Sequence, residues 1–146
     1  MFGLFKKNKL LKEVAHDLEE ISKTLLVIPN NSETFKKIEQ ELKESGAPQE
    51  MIDNAWPLTV GNAILYVAEK EIDFIYKNFN VRQASFYCIS SYITNLYNNG
   101  SLERYKTEQP EMYSALKLFW LFCGEATKNV EFHKCIMVPE DNPFPD

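Results

Sequence analysis

Residues 81–98, VRQASFYCISSYITNLYN, decide between a helical and a sheet protein. Phe86, Tyr87, Ile89, Tyr92, Ile93 and Thr94 are residue types that favour strands. Against this, Val81, Ala84, Cys88, Tyr92 and Leu96 recur at steps of three and four, and Ile89, Ile93 and Tyr97 widen that face. The run lacks period-two alternation and is too long for a typical strand, so its length settles it as a helix. A face this broad predicts a largely buried helix. Asn98-Asn99-Gly100 reads as its C-terminal cap, with a hairpin turn as the rival.

Downstream, Thr107 is a candidate cap for a last long helix, with Pro110 in its first turn. Tyr113, Leu116, Trp120, Cys123 and Thr127 form its stripe, and Met112, Phe119 and Phe122 broaden it. After Asn129 the pattern changes. Val130, Phe132, Lys134, Ile136 and Val138 alternate with Glu131, His133, Cys135 and Met137, as in one short strand or an extended tail. A lone strand needs a partner for its backbone, which a second copy would supply in a homodimer. From Pro139 the tail PEDNPFPD is turn-like and is expected to be mobile.

Upstream, residues 9–28 read as a first helix on Leu11, Val14, Leu18, Ile21 and Leu25, stopped near Ile28 by Pro29. A second helix spans about 32–45, capped by Asn31 or Ser32 and ended at Gly46. Pro48 suits the start of a third. Pro57 then breaks or kinks it, and two helices meeting at Trp56-Pro57 are expected rather than one. A further run carries Val60, Ile64, Ala68, Ile72, Ile75 and Phe79. The sum is an all-α, compact single-domain bundle of five to six helices over residues 1–146. Residues 1–8 are a short basic and apolar lead-in, and 139–146 a Pro-rich tail.

Composition agrees. The chain has 146 residues, enough for one self-sufficient core, and nineteen aromatics (ten Phe, seven Tyr, two Trp) against only five Gly. Three widely spaced cysteines, Cys88, Cys123 and Cys135, do not make a disulfide framework. No run approaches the ~18 apolar residues of a membrane span. The start, MFGLFKKNK, sets apolar residues before lysines, the reverse of a secretory signal, so a bacterial-type cytoplasm is the expected location.

Charge is uneven. The net charge is −5; residues 1–12 hold four Lys and no acid, whereas residues 13–53 hold ten acids against four bases. Such a chain lacks the basic stripe of a nucleic-acid binder. The basic start is read as a helix lead-in packed on the domain. Its alternative is peripheral membrane contact through residues 1–12, with Phe2, Leu4 and Phe5 dipping in while the lysines meet anionic lipid.

Three constellations are candidates for chemistry. Glu13 and His16, at i and i+3, share a helix face as in di-iron carboxylate bundles, but a second such motif is missing because Val130 stands three before His133. Cys123, His133 and Cys135 are a partial zinc set, whereas a structural site wants four ligands. Glu69 and Asp73, one turn apart, can pair as carboxylates, with Lys70 and Lys77 near enough to neutralise them. There is no nucleophile elbow, phosphate loop or dinucleotide fingerprint, so no cofactor is expected. The resulting reading is a non-enzymatic protein-binding module with an acidic face for a basic partner, a toxin enzyme being one example. Asp17, Glu19, Glu20, Glu39, Glu41 and Glu44 are its candidate partner residues. The alternative is a metal-binding or enzymatic bundle using Glu13 and His16, or His133 and Cys135.

Overall fold

A computed structural model describes residues 2–25, 33–50, 55–126 and 142–145. These residues form seven helices and no strand: α1 Phe2–Leu25, α2 Glu33–Glu44, α3 Ala55–Lys70, α4 Ile72–Asn78, α5 Val81–Asn98, α6 Ser101–Glu108 and α7 Pro110–Ala126. The all-α class expected from sequence is thus observed, with one helix more than the upper count. The alternating segment 130–138 lies outside the described residues.

Helix α5 is the central element and packs against α1, α3, α6 and α7. Asn80 opens it with a capping box. The Asn80 side chain accepts from the Gln83 N–H at 2.9 Å, and the Gln83 side chain accepts from the Asn80 N–H at 3.1 Å. Ala84, Cys88, Ile89 and Ile93 are fully buried, and so are Ser85 and Ser90. The two serines satisfy their hydroxyls locally, donating to the carbonyls of Val81 and Tyr87, each at 3.1 Å. This is how a helix with polar residues on several sides can be enclosed without orphaned donors.

Several helix boundaries depart from the sequence expectation. First, the run from Val60 to Phe79 is not one helix. It breaks at Glu71, whose backbone (φ −114°, ψ 25°) ends α3 and starts the short α4. Second, Ser101–Glu108 is a helix of its own. Gly100, at φ +81°, ends α5 and serves as the N-cap residue of α6, a left-handed conformation that glycine adopts without a Cβ clash. Third, Thr107 is not a helix cap. It lies inside α6 with its hydroxyl donating to the Arg104 carbonyl at 3.1 Å, and α7 begins instead after Gln109. Near Trp56-Pro57, α3 starts at Ala55 and holds Pro57 in its first turn, where a missing N–H costs nothing; residues 49 and 50 are helical as expected after Pro48, and how they meet α3 lies outside the described residues.

Gly46 terminates α2 as expected. At φ +77° it donates to the Lys43 carbonyl at 3.1 Å, while Ala47 donates to Leu42 at 3.0 Å, the paired bonds of a Schellman ending.

Both ends of the chain also need correction. The first helix begins at Phe2 rather than at residue 9, so the helical lead-in expected before it is, from Phe2 on, continuous with α1. It does not pack on the domain as a cover: Leu4 is 63% and Phe5 70% exposed. In the Pro-rich tail, Phe144 is buried and stacks edge-on to Tyr113 at 5.3 Å, with Trp120 at 6.4 Å. Residues 142–145 are therefore docked on α7, because one aromatic side chain recovers enough apolar area to anchor a short segment.

Candidate functional site

The break at Glu71 has a consequence for the surface. It sets a carboxylate at the end of α3, beside the middle of α5. There the Tyr87 hydroxyl donates to Glu71 Oε1 at 2.9 Å. Behind Tyr87, Phe74 and Phe79 form an aromatic cluster with it, with centroids 5.3–5.7 Å apart. These contacts fix both the ring and the turn that carries Glu71.

In front of the pair lies an open groove of about 490 Å³ between α3 and α5. That is within the usual range for a small-ligand or side-chain pocket. Tyr66, Tyr87 and Tyr92 line it together with Lys70, Asn95 and Asn99. Lys70 Nζ stands 4.5 Å over the Tyr66 ring, a cation–π contact that shows this ring face accepting a cation. Burial, and then the bond to Glu71, push the Tyr87 hydroxyl up to about 12, so it stays a protonated donor. Burial also raises Tyr92. The groove therefore offers ring faces, amides, an ammonium and a carboxylate held by a phenol.

It offers no activated nucleophile. Cys88 lies behind it, fully buried, with its thiol pushed up to about 12 by burial and by the Glu71 charge. Tyr66, Lys70 and Glu71 are residues that sequence reasoning did not single out for binding. Tyr66 and Lys70 are one turn apart on a helix, a legible pair. Glu71 and Tyr87 are sixteen positions apart, and only the packing of α3 on α5 brings them together.

The sequence-derived candidates are placed as follows. Glu13 and His16 are both exposed on α1, and the Glu13 carboxylate is 3.9 Å from Lys9. They edge an open depression of about 430 Å³ with Lys9, Lys12, Asp17 and Val81. Cys123 is buried in α7, its thiol pushed up to about 12 by burial, and its proposed co-ligands His133 and Cys135 lie outside the described residues. Among the described residues, no group of three or more His, Cys, Asp or Glu could hold a metal ion. The Glu69–Asp73 pair is not formed as a unit: Asp73 pairs with Lys7 of α1, which holds its carboxyl below the usual range.

The acidic candidates do not form one continuous face. Asp17 is mostly buried and bonded to Arg82 Nη2 at 3.0 Å, with its other oxygen, Oδ2, buried without a hydrogen-bond partner. Glu19 is half-buried and Glu20 exposed on α1. On α2, Glu39 pairs with Lys43 at 2.6 Å, Glu44 accepts from the Gln40 amide at 2.9 Å, and Glu41 is exposed. Positions 39 and 41 lie on opposite sides of a helix, which alone precludes a single acidic stripe.

No family model matches the chain, and neither a curated protein nor a solved structure matches it. No described helix is long and apolar enough to cross a membrane.

Proposed function

We propose that this protein is a non-enzymatic binding module for a basic protein partner, and that the tyrosine groove between α3 and α5 is where it grips that partner. The observation that carries this reading is the Glu71–Tyr87 pair facing a groove walled by Tyr66 and Tyr92. A lysine or arginine side chain of the partner would lie along a ring face and meet the Glu71 carboxylate, combining cation–π attraction with a charge-assisted bond. Tyrosine and arginine are the residue types that most often anchor interfaces. Asp17, Glu19, Glu20, Glu39, Glu41 and Glu44 then serve as a dispersed acidic field that steers the approach, with the exposed members contributing most. A toxin enzyme with a basic surface is one partner such a module would neutralise.

Native co-purification at low and then high salt tests this. A stoichiometric basic protein, released by salt, is the expected result. Tyr92→Ala and Glu71→Gln should each then weaken binding at least ~10-fold, as central anchors do. Reversing charge at Glu41 and Glu44 should slow association and leave dissociation nearly unchanged. A partner that binds Tyr92→Ala as tightly as the parent would remove the groove from the interface.

A further inference from the structure

The first three turns of α1 stand apart from the groove and carry a different chemistry. Leu4 and Phe5 have the greatest exposure of the large apolar side chains named among the described residues, at 63% and 70%. Lys6, Lys9 and Lys12 around them are also exposed. Phe5, Lys9 and Lys12 follow at i, i+4 and i+7, so they share one face, directed away from the buried Leu10, Val14 and Leu18. Lys7 turns inward to Asp73 of α4, which ties this half of α1 to the body and offsets a carboxylate that an anionic surface would repel.

We infer that this end of α1 docks on an anionic lipid surface. Two features favour a bilayer over a protein groove. Leu4 and Phe5 are neighbours in sequence and so point in different directions around the helix. A partner that reads a helix at i, i+3 and i+4 would meet only one of them, whereas a fluid interface takes an apolar tip from all sides. The charge along α1 is also polarised, with four lysines among residues 6–12 and, after them, Glu13, Asp17, Glu19 and Glu20 against Lys23 alone. A helix lying flat would bring those acids to the lipid. Tipped in at its basic end, it keeps Asp17 about 18 Å beyond Phe5 along the axis, further than the ~8 Å over which salt screens charge, while Glu13 is compensated by Lys9 at 3.9 Å. Neither contribution suffices alone. Each exposed lysine multiplies partition about five-fold on an anionic surface, and the Phe5 ring multiplies it about ten-fold. Attachment that draws part of its strength from lysines is salt-sensitive.

Co-sedimentation of the full chain with phosphatidylcholine vesicles, with and without phosphatidylserine, tests this. Binding should require phosphatidylserine and fall with added salt. Phe5→Ser should reduce it about ten-fold and Lys9→Gln about five-fold. Both sites are exposed, so far-UV circular dichroism of the variants should match the parent. Tyr92→Ala, in the groove, should sediment like the parent, which separates failure of this inference from failure of the binding-module reading. Three outcomes would overturn it: no sedimentation with phosphatidylserine at low salt, undiminished sedimentation of Phe5→Ser and Lys9→Gln, or binding of those lysines to an acidic soluble protein without any vesicle binding.

Discussion

Helices α5 and α1 are both long and both apolar in pattern, yet they are used in opposite ways. Along α5 the enclosure runs from Ala84 to Leu96 and includes serines and a threonine on its polar positions. Along α1 the enclosure starts only at Leu10 and continues through Val14, Leu18, Ile21 and Ser22, while the first two turns leave Leu4 and Phe5 in solvent. The difference lies in neighbours. Helices α3, α6 and α7 surround α5, whereas the first turns of α1 have α4 beside them and the Lys7–Asp73 pair as their anchor. An apolar residue on a helix marks a need for cover, and only the assembled fold decides whether cover is supplied.

The sharpest way to break this contrast is to delete apolar volume from each helix. Ile93→Ala empties a fully buried site in the middle of α5. It should cost about 3 kcal/mol of unfolding free energy, the sum of lost transfer energy and the cavity left behind. Leu4→Ala should change stability by less than about 0.5 kcal/mol, since its side chain is already in water. Urea titrations of the two variants read the difference directly. A loss at Leu4 comparable to that at Ile93 would mean the start of α1 is covered, and would also withdraw the tip offered to lipid.

A smaller effect is expected at the rim of α5. Tyr87→Phe keeps the ring in its cluster with Phe74 and Phe79 but removes the bond to Glu71, for a loss of about 1 kcal/mol at neutral pH. The pH dependence has a definite sign. The hydroxyl ionises at about 12 in the folded chain against an ordinary value of 10.0. Its contribution is therefore complete below pH 10 and is lost as pH rises towards 12, because the unfolded chain releases the proton first. Alkaline unfolding curves of Tyr87→Phe should fall less steeply over that window than those of the parent. Equal slopes would mean that burial and Glu71 together do not hold the Tyr87 hydroxyl in its neutral form.

Much of α5 was legible because length and breadth of pattern are local properties. Gly46 and Gly100 were legible as helix ends because their left-handed backbone suits glycine and few other residues. Helix α6 was not, since SLERYKTE buries only Leu102 and so shows no apolar stripe. The break at Glu71 was hidden because Ala68, Ile72 and Ile75 continue a helical spacing straight through it. The groove was hidden for a related reason: its central bond joins residues sixteen apart, and no period announces such a meeting. The acidic residues were visible as a composition, but their directions were not. Asp17 could not be read from sequence as the partner of Arg82, and position 39 as the partner of Lys43 competes with any role in an acidic face. Burial of Phe144 depends on where α7 presents Tyr113, so a tail that reads as polar and Pro-rich proves to be docked.

A gain rather than a loss is expected where the enclosed stretch of α1 is probed from the opposite side. Gly61 lies buried inside α3, where α3 crosses α1. A Cβ built there would meet Ser22 Oγ at 3.6 Å and the Leu18 Cβ and carbonyl at 4.0 Å, which are ordinary contact distances. Glycine inside a helix costs stability because the unfolded chain has more freedom to lose. Ser22 already donates to the Leu18 carbonyl at 2.7 Å, so the new methyl displaces no needed bond. Gly61→Ala should therefore stabilise the protein by about 0.5 kcal/mol, and Gly61→Leu should destabilise it by overpacking the same crossing. Read by thermal unfolding, the pair sets the clearance between α1 and α3. If alanine is already harmful, the helices cross more closely than these distances state, and the enclosed stretch of α1 is packed as tightly as the middle of α5.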